Sequence, residues 1–358
     1  MPVAIYAMNM VHLFRELEMP RRKVAAAEYI PGLAKVRNKR CRSVDRMAPG
    51  LHTADSLFDP VAPSSFAMPI DPRHLLARPF PAIEHAYSLR ESQLYALGLG
   101  LGADPLDAGQ LRYVYEGADG ASLRTMPTLA NILAYPGFWA REPDTGIDWR
   151  RLLHAEQEIR LHAPLPASGR VLGMSRITGL WDKGAGKGAF LQQTRDITDA
   201  GTGQLLATVV QLSLLRGDGG FGAGGSEGSP PGPHAMPEGP PDHVCDLGTP
   251  AQLALIYRLS GDFNPLHADP AVAAAAGFER PILHGMALMG VAAHAVLRTV
   301  LHYDDTRFAG MRVRFTAPAF PGDTLRTEMW VRGNTVSLRT TALERQVMVL
   351  NNARVDLC

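Results

Sequence analysis

The sequence predicts an α+β fold built twice over, two tandem repeats in each of which an antiparallel sheet wraps a central helix. Three observations predict it: a Gly/Pro-rich stretch divides the chain beyond residue 68, each side of it carries helical periodicity followed by four alternating stretches, and a short motif in one half is echoed in the other.

Residues 1–67 stand apart. They hold a basic cluster between Arg21 and Arg46 and no sustained period after residue 28, so they are expected to be a disordered extension, with Met68 as an alternative start. The acidic Glu16, Glu18 and Glu28 weaken a transit-peptide alternative. The first repeat, 68–216, has helical patterns over Arg90–Leu99 and Pro127–Trp139, then alternation over Leu153–Leu161, Arg170–Trp181, Phe190–Thr198 and Leu205–Leu215. Between Gly217 and Pro241 Gly and Pro make up more than half the residues, which marks 217–243 as a linker. No helix pattern follows Gly217–Gly225, so that run is expected to be a flexible turn and not a phosphate cradle. Gly184-Ala-Gly-Lys187-Gly188 fails the same test, with Ala189 where Ser or Thr is needed.

The second repeat, 244–358, shows a helical pattern over Ala251–Leu259, the segment Asp262–Pro270, a long helix from His284 to about Tyr303, and alternation over Gly310–Phe315, Thr324–Arg332, Thr335–Leu343 and Gln346–Val355. The Ala, Gly and Met content of Gly285–Ala295 suits a helix approached closely on most sides, the core of its repeat. His294 and His302 on that helix are expected to be packing or surface residues. The repeats echo one another locally: Tyr95-Ala-Leu-Gly98 and Gly102-Ala-Asp104-Pro105-Leu106-Asp107 stand opposite Tyr257-Arg-Leu-Ser260 and Asp262-Phe-Asn264-Pro265-Leu266-His267. Gly102 then replaces Asp262, Asp107 replaces His267, and Asn131 faces Gly285. The first copy is expected to have lost whatever chemistry the second performs.

That chemistry is suggested by Asp262 and His267, whose reference pKa values of roughly 3.9 and 6.5 let the pair hold a water and move protons to and from it. Taken alone, Asp-x-Asn-Pro is a turn or a helix cap. His267-Ala-Asp269 hints at a metal, but no third or fourth ligand stands nearby, so none is expected. A net charge of +1 gives no steering toward nucleic acid. Cys41, Cys245 and Cys358 are far apart and odd in number, against a disulfide framework and in favour of a reducing cytoplasm. No apolar run approaches the roughly 20 residues of a bilayer span, so no membrane partner is expected. The terminal Val355-Asp-Leu-Cys358 is neither a peroxisomal address nor a prenylation box.

The run Tyr257-x-x-Ser260-Gly261-Asp262-x-Asn264-Pro265-x-His267, with His284-Gly285-Met286 downstream, resembles the hydratase 2 motif of MaoC-like (R)-specific enoyl-CoA hydratases of the hotdog fold. Asp182-Lys-Gly-Ala-Gly-Lys187-Gly188-Ala189 and Arg216-Gly-Asp-Gly-Gly-Phe-Gly resemble segments of the double-hotdog hydratases typified by the peroxisomal multifunctional enzymes. Together these cover residue 70 to the C-terminus.

The resemblance implies reversible hydration of trans-2-enoyl-CoA to (R)-3-hydroxyacyl-CoA. Asp262 is implied as base, His267 as acid, Asn264 as the residue orienting them, and Gly285 as an oxyanion N–H at a helix start. An inactive first repeat that widens the groove for the acyl chain is implied as well; Leu129–Phe138 either lines that groove or fills a core. The substrate carries coenzyme A and no separate cofactor is expected. Its phosphates suit Arg280, Arg312, Arg314 and Lys187, with His284 shaping the turn beside the substrate; for the arginines a solvated strand face is the open alternative. An acyl-CoA thioester is the expected partner, and a homodimer is compatible with the fold. Two other functions stay open: a dehydratase of branched or dicarboxylic acyl-CoA of the mesaconyl-CoA type, and a non-catalytic acyl-CoA binding module.

Overall fold

The computed structural model describes residues 70–118, 120 and 122–358. The basic extension expected at 1–67, with Cys41, lies outside the described residues. In the first half, strands run over Ile83–Tyr87 (β1), Leu152–Leu161 (β2), Gly169–Asp182 (β3), Ala189–Asp199 (β4) and Leu205–Leu215 (β5). In the second they run over His243–Gly248 (β6), Phe308–Phe315 (β7), Thr324–Arg332 (β8), Thr335–Ala342 (β9) and Val347–Leu357 (β10). The alternation that marked most of them reflects a buried concave face, as along β3 where Val171, Ser175 and Ile177 are covered while Met174 and Arg176 face solvent. The short outer strands β1 and β6 were not expected.

All ten strands form one antiparallel sheet in the order β1-β3-β4-β5-β2-β7-β10-β9-β8-β6. From either edge inward the order is the same: first, third, fourth, fifth and second strand of a half. This palindrome is the duplication written in topology, and it makes the double hotdog. The halves meet where β2 pairs with β7, with Gln157 opposite Val313 and Ile159 opposite Met311. A further contact joins them on the helical side. The matched tyrosines Tyr95 and Tyr257 are both buried, with ring centroids 5.7 Å apart. A Cβ on Gly98 would stand 3.0 Å from the Tyr257 Cα, so this crossing tolerates little but glycine there.

The helix Gly285–Thr299 lies across the concave face, and every residue from Ala287 to Leu297 is buried. It is apolar all round, as a helix enclosed on all sides must be. Its Gly290 leaves the space that Leu99 of the first repeat fills. The corresponding helix expected over Pro127–Trp139 does not form. Instead a 3-10 turn spans Pro127–Asn131, Ala134 and Gly137 take positive φ (50° and 73°), and a second 3-10 turn spans Trp139–Arg141. Pro136 and Gly137 interrupt that apolar run, and proline disfavours helical backbone both at itself and at the residue before it. One long helix therefore serves the core of both halves.

The Gly/Pro-rich linker runs as a strap tied to the sheet at several points. Asp182 at the end of β3 accepts the N–H groups of Gly184, Gly220 and Gly222 at 2.7, 2.7 and 2.8 Å, and these bonds draw its carboxyl below the usual range. Farther along, Arg312 donates to the Pro231 carbonyl, Asn352 to that of His234 and Trp330 to that of Gly239. The amides of Gly220 and Gly222 are thus used internally. No helix among the described residues is long and apolar enough to cross a membrane. Cys245 and Cys358 are free thiols.

Candidate active site

The site is built where the motif loop of the second repeat meets the start of the long helix. Gly261, at φ 119°, turns the chain out of the 3-10 turn Arg258–Ser260 and presents Asp262. The Asp262 carboxylate accepts the Asn264 N–H at 3.2 Å, and the Asn264 side chain accepts the Leu266 N–H at 3.0 Å, capping the 3-10 turn that carries His267. Asn264 thus orients the loop between the two groups. Ring by ring, backbone carbonyls then fix the imidazoles. His267 donates from Nδ1 to the Ile282 carbonyl at 2.9 Å, and His284 donates from Nε2 to the Asp262 carbonyl at 3.2 Å. Because a carbonyl only accepts, each of these nitrogens carries the proton, and the neutral ring has a lone pair on its other nitrogen. The two rings stack with centroids 3.8 Å apart. A carboxylate oxygen of Asp262 and one ring nitrogen from each histidine lie within 4.8 Å of one another.

Burial disfavours the charged imidazole, so the pKa of His267 falls below 6.5 despite the opposing pull of the Asp262 charge. His284 is pushed to about 2 by burial and by His267 beside it. Both rings are neutral at pH 7. Gly285 opens the helix as its first residue, and its N–H has no partner among the described residues. Phe315 stands 3.2 Å from where a Gly285 Cβ would be, closing the opposite wall.

His284 is 1% exposed, packed on Tyr257 beneath the motif loop, and its ring supports that loop through the Asp262 carbonyl. Arg312 is held by Glu156 and Pro231 on the sheet face opposite Val313 and the core. Arg314 shares that outer face and is 42% exposed on its side chain, 3.9 Å from Glu156. Arg280 lies two residues before Ile282, on Phe320 and 3.7 Å from Asp323, with half its side chain exposed. Lys187 is exposed in the turn between β3 and β4 with no ion pair among the described residues. In the first repeat Asp107, the counterpart of His267, caps the helix Ala108–Val114 through the N–H groups of Gly109 and Gln110.

Residues from the first repeat complete the surroundings. His154 on β2 packs edge-on to Phe315 at 5.0 Å and lies within the field of the Asp262 carboxylate. It bonds Gln157, which in turn donates to Asn131 at 2.9 Å. Asn131 was marked by the repeat alignment; His154 had no signal in its spacing. A cavity of about 20 Å³ lies in the first repeat, lined by Tyr135, Phe138, Trp139, Leu152, Gln193, Gln211 and Ser213 among others. Of the Leu129–Phe138 run, Leu129 and Leu133 fill the core while Tyr135 and Phe138 border this cavity.

Comparison with known proteins matches both halves. The MaoC like domain matches residues 234–353 and the MFE-2 hydratase 2 N-terminal domain matches residues 85–217. The chain is 38% identical over 289 residues to the enoyl-CoA hydratase ChsH3 of Mycobacterium tuberculosis, covering 79% of this chain and 97% of that protein. It is 38% identical over 282 residues to the peroxisomal multifunctional enzyme type 2 of Mus musculus, covering 77% of this chain and 37% of that one. The crystal structure of a MaoC-like dehydratase from Phytophthora capsici superposes with a TM-score of 0.68 at 27% identity, over 81% of this chain and 99% of that chain. With both domains matched in order, the chain belongs to the MaoC-like hydratase family in which an MFE-2 hydratase 2 N-terminal domain precedes the MaoC like domain.

Proposed function

We propose that this chain catalyses the reversible hydration of trans-2-enoyl-CoA to (R)-3-hydroxyacyl-CoA. The observation that carries the reading is the convergence of the Asp262 carboxylate and the His267 ring at the start of the long helix. The tautomer of His267, with Nδ1–H on Ile282, leaves Nε2 as an acceptor. A water between two acceptors donates one O–H to each, which aims its oxygen lone pair outward at C3 of the enoyl group. As that oxygen bonds to C3, the π electrons move to the thioester oxygen, and the N–H of Gly285 stabilises the charge there. The water's proton passes to His267 Nε2, where the Asp262 carboxylate stabilises the imidazolium. The same proton then goes to C2 as the enolate collapses, and His267 returns to neutral. One group thus acts as base and then as acid, which replaces the expected split of base on Asp262 and acid on His267.

Arg280 and Lys187 are the basic groups we assign to the coenzyme A phosphates. The free thiols fit a reducing compartment, the cytoplasm in our proposal, with a role in fatty acid metabolism. The test is the loss of enoyl-thioester ultraviolet absorbance with purified protein and thioesters of graded length. Asp262→Asn and His267→Ala are each expected to lower kcat by roughly 10²–10⁴-fold with unchanged circular dichroism. Near-normal turnover by either variant sinks the proposal.

A further inference from the structure

We propose that His154 of the first repeat binds the substrate, its Nδ1 accepting the amide N–H of the cysteamine unit that follows the thioester sulfur of an acyl-CoA. The contact rests on the activity proposed above and comes from the repeat in which Gly102 and Asp107 stand where Asp262 and His267 would. His154 Nε2 lies 3.1 Å from the Glu156 carbonyl and 3.0 Å from Gln157 Oε1. A carbonyl only accepts, so Nε2 carries the proton and the lone pair of the neutral ring sits on Nδ1. Burial lowers the pKa of this ring to about 4, so it is neutral at pH 7. Nδ1 has no hydrogen-bond partner among the described residues and, unlike that of His284, is not sealed from solvent.

The acceptor role of Gln157 is itself fixed from behind. Its Nε2 donates to Asn131 Oδ1 at 2.9 Å, the Asn131 amide donates to Met289 Sδ on the long helix at 3.5 Å, and Arg195 donates to the Ala130 and Asn131 carbonyls at 3.3 and 2.7 Å. Gln157, Asn131 and Arg195 are all buried, and what this chain delivers is one oriented imidazole with an open lone pair. The ring stands beside the reacting groups. It is edge-on to Phe315 at 5.0 Å, Phe315 stands 3.2 Å from where a Gly285 Cβ would be, and the Asp262 charge reaches the imidazole. An acceptor there needs a donor from the substrate. The enoyl chain has none, the thioester oxygen only accepts, and the water's protons go to Asp262 and His267. The first N–H of coenzyme A is the cysteamine amide, a short methylene spacer beyond the sulfur. With the thioester oxygen on the Gly285 N–H, that spacer carries the amide about one ring's breadth away, the separation that Phe315 sets between Gly285 and His154.

The experiment compares two crotonyl thioesters on the full-length chain by loss of ultraviolet absorbance: the N-acetylcysteamine thioester, and its ester isostere with oxygen in place of the amide N–H. Wild type is expected to favour the amide by about tenfold in kcat/KM, chiefly through KM. His154→Gln keeps a donor for Glu156 and Gln157 at the Nε2 position and loses the acceptor, so its preference should fall to near unity. His154→Asn keeps an acceptor at the Nδ1 position and loses the anchor, and should retain the preference. Both thioesters are read on one protein, so a partial loss of fold cancels from the ratio. A preference undiminished in His154→Gln overturns the contact. A wild type that hydrates both thioesters equally overturns it too and leaves the proposed activity standing; one that hydrates neither of them, nor crotonyl-CoA, defeats the activity and the contact with it.

Discussion

Replacing His294 with Gln is expected to make the protein less sensitive to mild acid. His294 is buried in the long helix and contacts the Tyr303 hydroxyl at 3.1 Å, which itself donates to Asp107 at 3.3 Å. Burial, with the nearby Arg298 charge, lowers its pKa from 6.5 to about 4, and burial lowers that of His154 likewise to about 4. The sign follows from proton uptake. An unfolded chain binds a proton at each imidazole as pH falls through 6.5, while the folded chain refuses it until about 4, so unfolding gains in that interval. Between pH 7 and pH 5 each such histidine lowers stability by about 2 kcal/mol, at 1.4 kcal/mol per pH unit, or about 4 kcal/mol for the two. His284, pushed to about 2, adds about 2 kcal/mol more, and His85, His234 and His267 are shifted in the same direction and add to the loss. Urea unfolding at pH 7 and pH 5 measures it. His294→Gln should recover about 2 kcal/mol of the difference. A wild type equally stable at both values, or a variant with undiminished acid sensitivity, refutes the reasoning.

Gly285→Pro deletes the N–H assigned to the oxyanion while keeping the helix, because proline is favoured at a first helical position and His284 already has the extended backbone, φ −61° and ψ 136°, that proline requires before it. We expect kcat to fall by roughly 10²–10³-fold with a melting temperature near that of the wild type, some strain against Phe315 aside; retained turnover removes Gly285 from the mechanism. Trp139→Leu enlarges the cavity of about 20 Å³. It should raise kcat/KM for longer enoyl chains relative to crotonyl-CoA by about tenfold, and an unchanged chain-length profile places the acyl group elsewhere.

The parts that were legible in the sequence are those whose determinants are local. Strands β2–β5 and β7–β10 alternate because one face is buried, and a period of two survives without knowledge of the partner. The local shape of the motif loop was legible because a Gly turn at Gly261 and an Asx cap at Asn264 lie three residues apart. The outer strands β1 and β6 are short and pair on one side alone, with β3 and β8, so little alternation is demanded of them. The apolar run at Leu129–Phe138 looked helical because periodicity measures burial, and burial was right even though Pro136 and Gly137 forbade the helix. His154 comes beside Phe315 through the β2–β7 pairing, and Arg312 is tied to Glu156 at the same seam. Contacts between repeats leave no trace in spacing.

The palindromic sheet has a consequence for how such a molecule can change over generations. In an assembly of two identical subunits every substitution strikes both sites together, so a change that improves one pocket while ruining the other is lost. Here the two copies share one chain, and a change falls on one side only. Asp107 caps a helix where its counterpart His267 carries a bare ring nitrogen, so the two sides of the sheet can be altered separately.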